Sequence, residues 1–314
     1  MLMKIRSYVL PAAILLGLLL HKLWATIAFL APYFIFVILL LNFVAVDLRK
    51  LHFSRLQWWI LAFQVVVSIG SYYLVSILTH NALLAQGILI GILCPVASSV
   101  VVIACLLGAD RQTVTAYTVI GNLAIAIAAP LYFSFIGVHQ EMGVWASFWL
   151  ILKRVGPTIG LPFFVALLLQ LCWPRANDAL ARLKDYTFYI WAFLLTLTLG
   201  QTIDFIFLHG EGNGLNILWL GIASVTICAI QFGVGKWIGR HYGDSIAGAQ
   251  MLGQKNTAMG IWMANTYLIP LASVFLAFYS IWQNIFNSWR IWRHDHQMPT
   301  SAPSSATQSS PPER

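Results

Sequence analysis

The chain has 314 residues, of which 60% are hydrophobic and only 9% charged, and its mean hydropathy is +0.79. Soluble domains carry about 25% charged residues, so this composition excludes a soluble domain and indicates an integral membrane protein. The formal net charge of +8 does not point to nucleic acid, because the basic residues are spread over short loops and form no single patch.

Ten apolar segments follow one another along the chain, centred near Leu16, Leu39, Val66, Leu93, Ala126, Phe163, Leu194, Thr226, Ala258 and Tyr279. About 20 apolar residues span a bilayer, and most of these segments reach that length. The first is short and the ninth is interrupted, so the count is ten or nine. The first run, Tyr8–Leu20, leads to no small-residue cleavage site before a soluble domain, and it reads as a first transmembrane helix rather than a signal peptide. The membrane domain takes residues 1–295. Residues 296–314 are rich in Ser, Pro, Gln and Thr, and are expected to form a disordered cytoplasmic tail. With ten spans, fourteen of the 18 Lys and Arg residues fall on the side shared by the termini, and only Lys22 falls on the other. That asymmetry puts both termini in the cytoplasm and the chain in the cell inner membrane. The remaining three, Lys153, Arg154 and Lys255, lie within segments, the first two expected near the outer end of the sixth.

An internal repeat runs through the segments. Tyr117-Thr118-Val119-Ile120-Gly121-Asn122 matches Tyr279-Ser280-Ile281-Trp282-Gln283-Asn284, and Gln64 in the third segment corresponds to Gln231 in the eighth. Between them lie two interrupted segments, one at Cys94-Pro95-Val96-Ala97-Ser98-Ser99 and one at Gly253-Gln254-Lys255-Asn256-Thr257. Each half, about 8–138 and about 144–293, holds five spans, an odd number, so the halves insert with opposite topology. Inverted repeats with paired broken helices are the mark of secondary transporters, and the breaks mark the site.

Lys255 is the only formal charge between Ile246 and Leu268. An ammonium at the centre of a spanning helix costs roughly 2.5–3.5 kcal/mol even on the lenient insertion scale, so it belongs in a polar cavity. It has three readings: a structural cation on freed carbonyls, a contact for an anionic substrate, or a group that gains and loses its proton. Snorkelling serves lysines near helix ends, and Lys255 is near mid-segment. Pro95 removes a backbone donor, and Ser98 and Ser99 stand next to it to supply hydroxyls. A proline kink in a packed bundle explains Pro95 alone equally well, but not the matching break in the other half. Among the buried amides, a lone Gln231 is as readily interhelical glue as a ligand. Asn122 and Asn284 follow their breaks at similar intervals, and Thr118 shares a face with Asn122.

Acidic residues are missing from the segment centres, with Asp47 and Asp204 at helix ends, and neither GxSxG nor HExxH appears, so the chain is not read as an enzyme. The histidines fall in loops and the tail and read as solvated. Cys94, Cys105, Cys172 and Cys228 lie in apolar runs without CxxC spacing and read as core thiols. Apart from sodium, which stays open, no cofactor or metal is expected.

The two breaks, with Ser280-Ile281-Trp282-Gln283-Asn284 and Gln64, resemble the bile acid:sodium symporter family over nearly the whole chain, and most closely bacterial members with GQ(Q/K)NT in the ninth helix. The resemblance implies a panel domain (segments one, two, six and seven) and a core domain (three to five, eight to ten) in which the fourth and ninth helices cross. It implies inward transport of an organic anion, bile-acid-like or a small carboxylate, by alternating access. Carried over, the cation site would use Gln64, Ser98, Ser99, Thr118, Asn122 and Gln254, with Lys255 as its replacement. Substrate would meet Ser98, Ser99, Asn122, Lys255, Asn256, Thr257 and Asn284. The chain departs from the pattern where sodium-coupled members carry Glu, here Met251, and where they carry Gln, here Lys255. Two further departures are the shortened Val96-Ala97 and Ser99 in place of Asn. The expectation is that Lys255 replaces at least one sodium ion. The alternatives are an ion exchanger or arsenite-type exporter using Cys94, or a membrane sensor or scaffold. The expected partners are the substrate anion and the bilayer; the sequence does not fix the oligomeric state.

Overall fold

In the computed structural model of the chain, residues 12, 15–137 except 98, 143–209 and 211–297 are described. All counts and absences below refer to these residues. The chain is all-α. In order come α1 (His21–Ile27), α2 (Ala31–Val44), α3 (Arg55–Thr79), α4 (Ala82–Leu93), α5 (Val100–Leu106), α6 (Arg111–Ile136) and α7 (Val144–Ile159). These are followed by α8 (Leu161–Cys172), α9 (Pro174–Ala181), α10 (Thr187–His209), α11 (Gly214–His241), α12 (Ser245–Gly253), α13 (Thr257–Tyr267) and α14 (Ser273–Gln297). An isolated antiparallel bridge between Val96 and Lys255 is the single β-type contact among the described residues.

Side chains in the sequence set the helix starts. Ser54 and Gln57 form a reciprocal capping box at α3, and Asn81, Asp110, Asp244 and Asn256 each accept a backbone N–H in the first turn of α4, α6, α12 and α13. His80 ends α3 in the left-handed region, at φ 51°.

Five stretches are long and apolar enough to cross a membrane: His21–Val44, Arg55–Thr79, Arg111–Ile136, Thr187–Leu208 and Gly214–His241. The pair α7 and α8, bent by 40° at Gly160, makes a sixth. The second expected segment thus starts as early as His21. Of the first, Tyr8–Leu20, residues 12 and 15–20 are described, and 15–19 are helical. The fourth and ninth expected spans are each two short helices around a break, and the tenth, in α14, is long enough but not apolar enough to count as a span. α14 runs to Gln297, slightly past the expected boundary of the tail, and the tail from 298 onward is outside the described residues. Lys153 and Arg154 lie exposed in the second half of α7, within the first half of the bent span that α7 and α8 make.

α10 lies against α1, α2 and α13, α2 against α8, and α6 against α7; α3 packs on α4, and α11 on α12 and α14. The closest pair is α11 with α12, which meet backbone to backbone. A Cβ at Gly248 would stand 2.2 Å from the Gly235 carbonyl oxygen and 2.7 Å from the Gly239 Cα. In lipid, where burial between helices gains little from water release, such close van der Waals packing and internal polar bonds supply the association. Large apolar side chains such as Leu19, Ile77, Leu78 and Trp237 are exposed, as suits a lipid-facing surface. His21, expected to be a solvated loop residue, instead pairs with Asp204 at 2.6 Å, joining the start of α1 to α10.

Candidate functional site at two broken helices

The breaks after α4 and α12 lie side by side. Ala97 N donates to Gln254 O (3.1 Å), and Asn256 N donates to Pro95 O (2.8 Å). Each break thereby supplies backbone partners that the other lost. The sequence assigned that task to the hydroxyls of Ser98 and Ser99. Ser98 lies outside the described residues, and Ser99 is exposed at the start of α5, where its hydroxyl accepts from Gln254 Nε2 (2.9 Å).

A helix end buried in lipid must account for its last carbonyls. Here every carbonyl from Gly91 to Pro95 has a donor. Gly91 O accepts from Gln231 Nε2 (3.2 Å) and Ile92 O from Lys255 Nζ (2.8 Å). Leu93 O and Cys94 O both accept from Gln64 Nε2 (2.8 Å each), and Pro95 O is taken by Asn256 as above. The second break has its own set of bonds. Gly253 O accepts from the Tyr279 hydroxyl (2.7 Å), Lys255 O from Gln283 Nε2 (3.2 Å) and Asn256 O from the Cys94 thiol (3.0 Å), while Lys255 N donates to Gln283 Oε1 (2.8 Å).

Residues matched between the two stretches make similar bonds. The Tyr117 hydroxyl donates to Gln64 Oε1, and Gln231 Nε2 donates to the Tyr279 hydroxyl (3.1 Å). In each half a glutamine and a tyrosine form a pair that caps the first half-helix of a broken span. Asn122 Nδ2 bonds Thr118 O (2.6 Å), and Asn284 Nδ2 bonds Ser280 O (2.6 Å), each one turn back on its own helix. Thr118 donates its hydroxyl to Val114 O (2.9 Å).

Lys255 is 1% exposed and its side chain ends on the C-terminal turn of α4. The carbonyl end of a helix carries partial negative charge and favours a cation there. An ammonium offers three donors, and Ile92 O is its one protein acceptor. The described residues contain no carboxylate paired with it: the salt bridges are those of Asp47 and Asp204. Met251, where a Glu was the comparison, is fully buried, and the neighbouring Gln250 donates to Asn287 Oδ1 (3.0 Å).

Of the residues expected in the cation set, Gln64 has both ends of its amide committed to the protein. Asn122 and Gln254 each keep a buried side-chain oxygen without a partner, as do Gln231, Gln250 and Ser280. These neutral oxygens are hard donors of the type a sodium ion takes. Asn256 caps α13 through Met259 N (3.3 Å), and Thr257 is buried in its first turn. The sequence did not single out Gln283, Tyr117 or Tyr279. The two tyrosines stood at the head of the matched repeat, and that was the available signal.

A bundle of apolar helices around a polar pair of helix breaks is the build of a multi-pass membrane transporter. Comparison supports that class. The chain is similar to YocS of Bacillus subtilis (strain 168), named as an uncharacterized sodium-dependent transporter, with 22% identity over 241 residues covering 72% of this chain and 71% of the relative. No protein-family model matches the chain.

Proposed function

We propose that the protein is a secondary active transporter that moves an organic anion across the cell inner membrane by alternating access, with Lys255 acting in place of at least one sodium ion. The reading takes ten spans as two inverted five-helix repeats, with both termini in the cytoplasm. The first two spans, α7 with α8, and α10 form the panel; α3 to α6 and α11 to α14 form the core. The contact of Lys255 Nζ with Ile92 O is the observation that carries it, because a buried lysine nitrogen sits at the carbonyl end of a broken helix with no acidic partner among the described residues. Two unit positive charges about 4 Å apart repel by roughly 4 kcal/mol at an effective dielectric of 20, so a sodium ion beside this ammonium is disfavoured. The unpaired oxygens of Asn122 and Gln254 leave ligands for one further sodium ion, in keeping with the sodium dependence in the relative's name. The loss of a carboxylate at Met251 lowers the cation count in the same direction. The substrate would approach Ser98, Ser99, Asn122, Lys255, Asn256, Thr257 and Asn284, and a net positive break favours an anionic solute.

A panel of organic anions, from small carboxylates to bile acids, would be screened by thermal shift on the purified protein and then by uptake into proteoliposomes. The expected result is saturable uptake of at least one stabilising anion above protein-free vesicles. Uptake of none of them, with saturable movement of inorganic cations alone, would sink the reading in favour of an ion exchanger.

A further inference from the structure

Away from the crossing, where α5, α11 and α14 end and α12 begins, the bundle holds a cavity of about 470 Å³. Its polar lining is basic: Lys236 from α11, and Arg290, Arg293 and His294 from α14. Its apolar lining is largely aromatic, from Phe232, Phe286 and Trp289. Phe232 and Phe286 stand with ring centroids 4.2 Å apart and form one wall. The two guanidiniums lie over the aromatic faces, Arg290 at 5.9 Å from the Phe286 ring and Arg293 at 5.7 Å from the Trp289 ring. Each is oriented by its ring and has donors left for an outside acceptor.

Arg290 and Arg293 act on each other as like charges, and no lining residue is acidic among the described ones. The nearest capping acid, Asp244, spends one oxygen on Ala247 N (2.7 Å) and the other on Asp110 N (2.9 Å). Three cationic side chains beside aromatic walls, at the end of a membrane-spanning bundle, match a ligand that is anionic at one end and apolar at the other.

We infer that this cavity holds the phosphate headgroup of an anionic membrane phospholipid, with Lys236, Arg290 and Arg293 on the phosphate and Phe232, Phe286 and Trp289 along the first carbons of the acyl chains. Planar guanidiniums suit phosphate oxygens, and basic pockets between spanning helices are a recurrent lipid-headgroup site. A free inorganic anion would satisfy the charges but leave the aromatic wall wet. The inference is separate from the transport reading, since it uses no residue of the crossing.

The full-length protein in detergent would be titrated with phosphatidylglycerol, phosphatidylcholine and inorganic phosphate, with bound lipid read by native mass spectrometry and stability by thermal shift. Retention of phosphatidylglycerol, with little effect of the other two, is the expected result. Neutralising both arginines (R290Q with R293Q) should weaken that retention about tenfold to thirtyfold, and R290K with R293K should keep most of it. A second variant works by volume alone. A Cβ at Gly233, on the cavity lining, meets no atom within 4 Å, so a side chain can start there without a clash, and the bulk added by Gly233→Leu should also displace the lipid. Equal retention of phosphatidylcholine, equal stabilisation by inorganic phosphate, or unchanged phosphatidylglycerol binding in Gly233→Leu would each overturn the assignment.

Discussion

Replacing Gln64 by Leu keeps the side-chain volume but strips three buried polar groups of their partner at once: Leu93 O, Cys94 O and the Tyr117 hydroxyl. Each orphaned group costs about 1–3 kcal/mol, and allowing for relaxation the loss should total about 3–5 kcal/mol. The equivalent change in the other half, Gln231→Leu, orphans Gly91 O alone, because the Tyr279 hydroxyl keeps its bond to Gly253 O. Its cost should be about 1–2 kcal/mol. In apparent melting temperature the first variant should fall on the order of 10 °C and the second by a few degrees. Adding Tyr117→Phe to Gln64→Leu removes a hydroxyl that has already lost its acceptor. The double variant should therefore be more stable than the sum of the single losses. The assay is the thermal aggregation midpoint of detergent-solubilised protein. Equal losses in the two glutamine variants, or a larger one in Gln231→Leu, would refute the account of how the breaks are capped.

Other expected outcomes follow from the same contacts. Gly248→Leu forces a side chain into the Gly235 carbonyl and the Gly239 backbone and should abolish a monodisperse peak in size exclusion, whereas Gly233→Ala, which meets open space, should leave it intact. Gln283→Leu removes both bonds to the Lys255 backbone and should lower the melting midpoint by an amount corresponding to about 2–3 kcal/mol. Asp110 caps α6, and hydrogen bonds from the Thr113 hydroxyl and amide hold its carboxyl below the ordinary carboxylate value. A carboxylate with a depressed folded-state pKa stabilises above its unfolded value and loses that contribution as pH falls through the folded one. Asp110→Asn should therefore lower the melting midpoint at neutral and basic pH and flatten the acid limb, the two proteins converging at low pH.

Much of the site was legible in the sequence, because lipid makes polar residues conspicuous. Lys255, Pro95, Gln64 and Gln231 stood out in apolar surroundings, and all four lie on or beside the two breaks. What the sequence could not supply was the direction of each bond. Pro95 announced a broken helix, but the partners of the freed carbonyls came from the opposite break and from Gln64 and Lys255, which are remote in the chain. Gln283 looked like one more residue of a matched repeat until its amide met the Lys255 backbone. Asn122 and Asn284, paired in the sequence by the repeat, each fold back on their own helix and leave only the oxygen or its surroundings to a ligand. The span count was less legible, since helices cut to the lengths of α4, α5, α12 and α13 do not read as spans in the folded chain. The His21–Asp204 pair was missed because a histidine beside Lys22 looks like a loop residue, and its partner is 183 positions away.

The central claim is that Lys255 stands in for a sodium ion, and sodium dependence tests it most directly. Uptake of a stabilising organic anion into proteoliposomes would be measured in sodium chloride and in choline chloride at equal ionic strength, for the wild type and for Lys255→Gln. The account predicts that the wild type retains substantial uptake in choline, while Lys255→Gln needs more sodium ions per turnover and loses uptake when sodium is withdrawn. Strict sodium dependence of the wild type, with Lys255→Gln indistinguishable from it, would contradict the account.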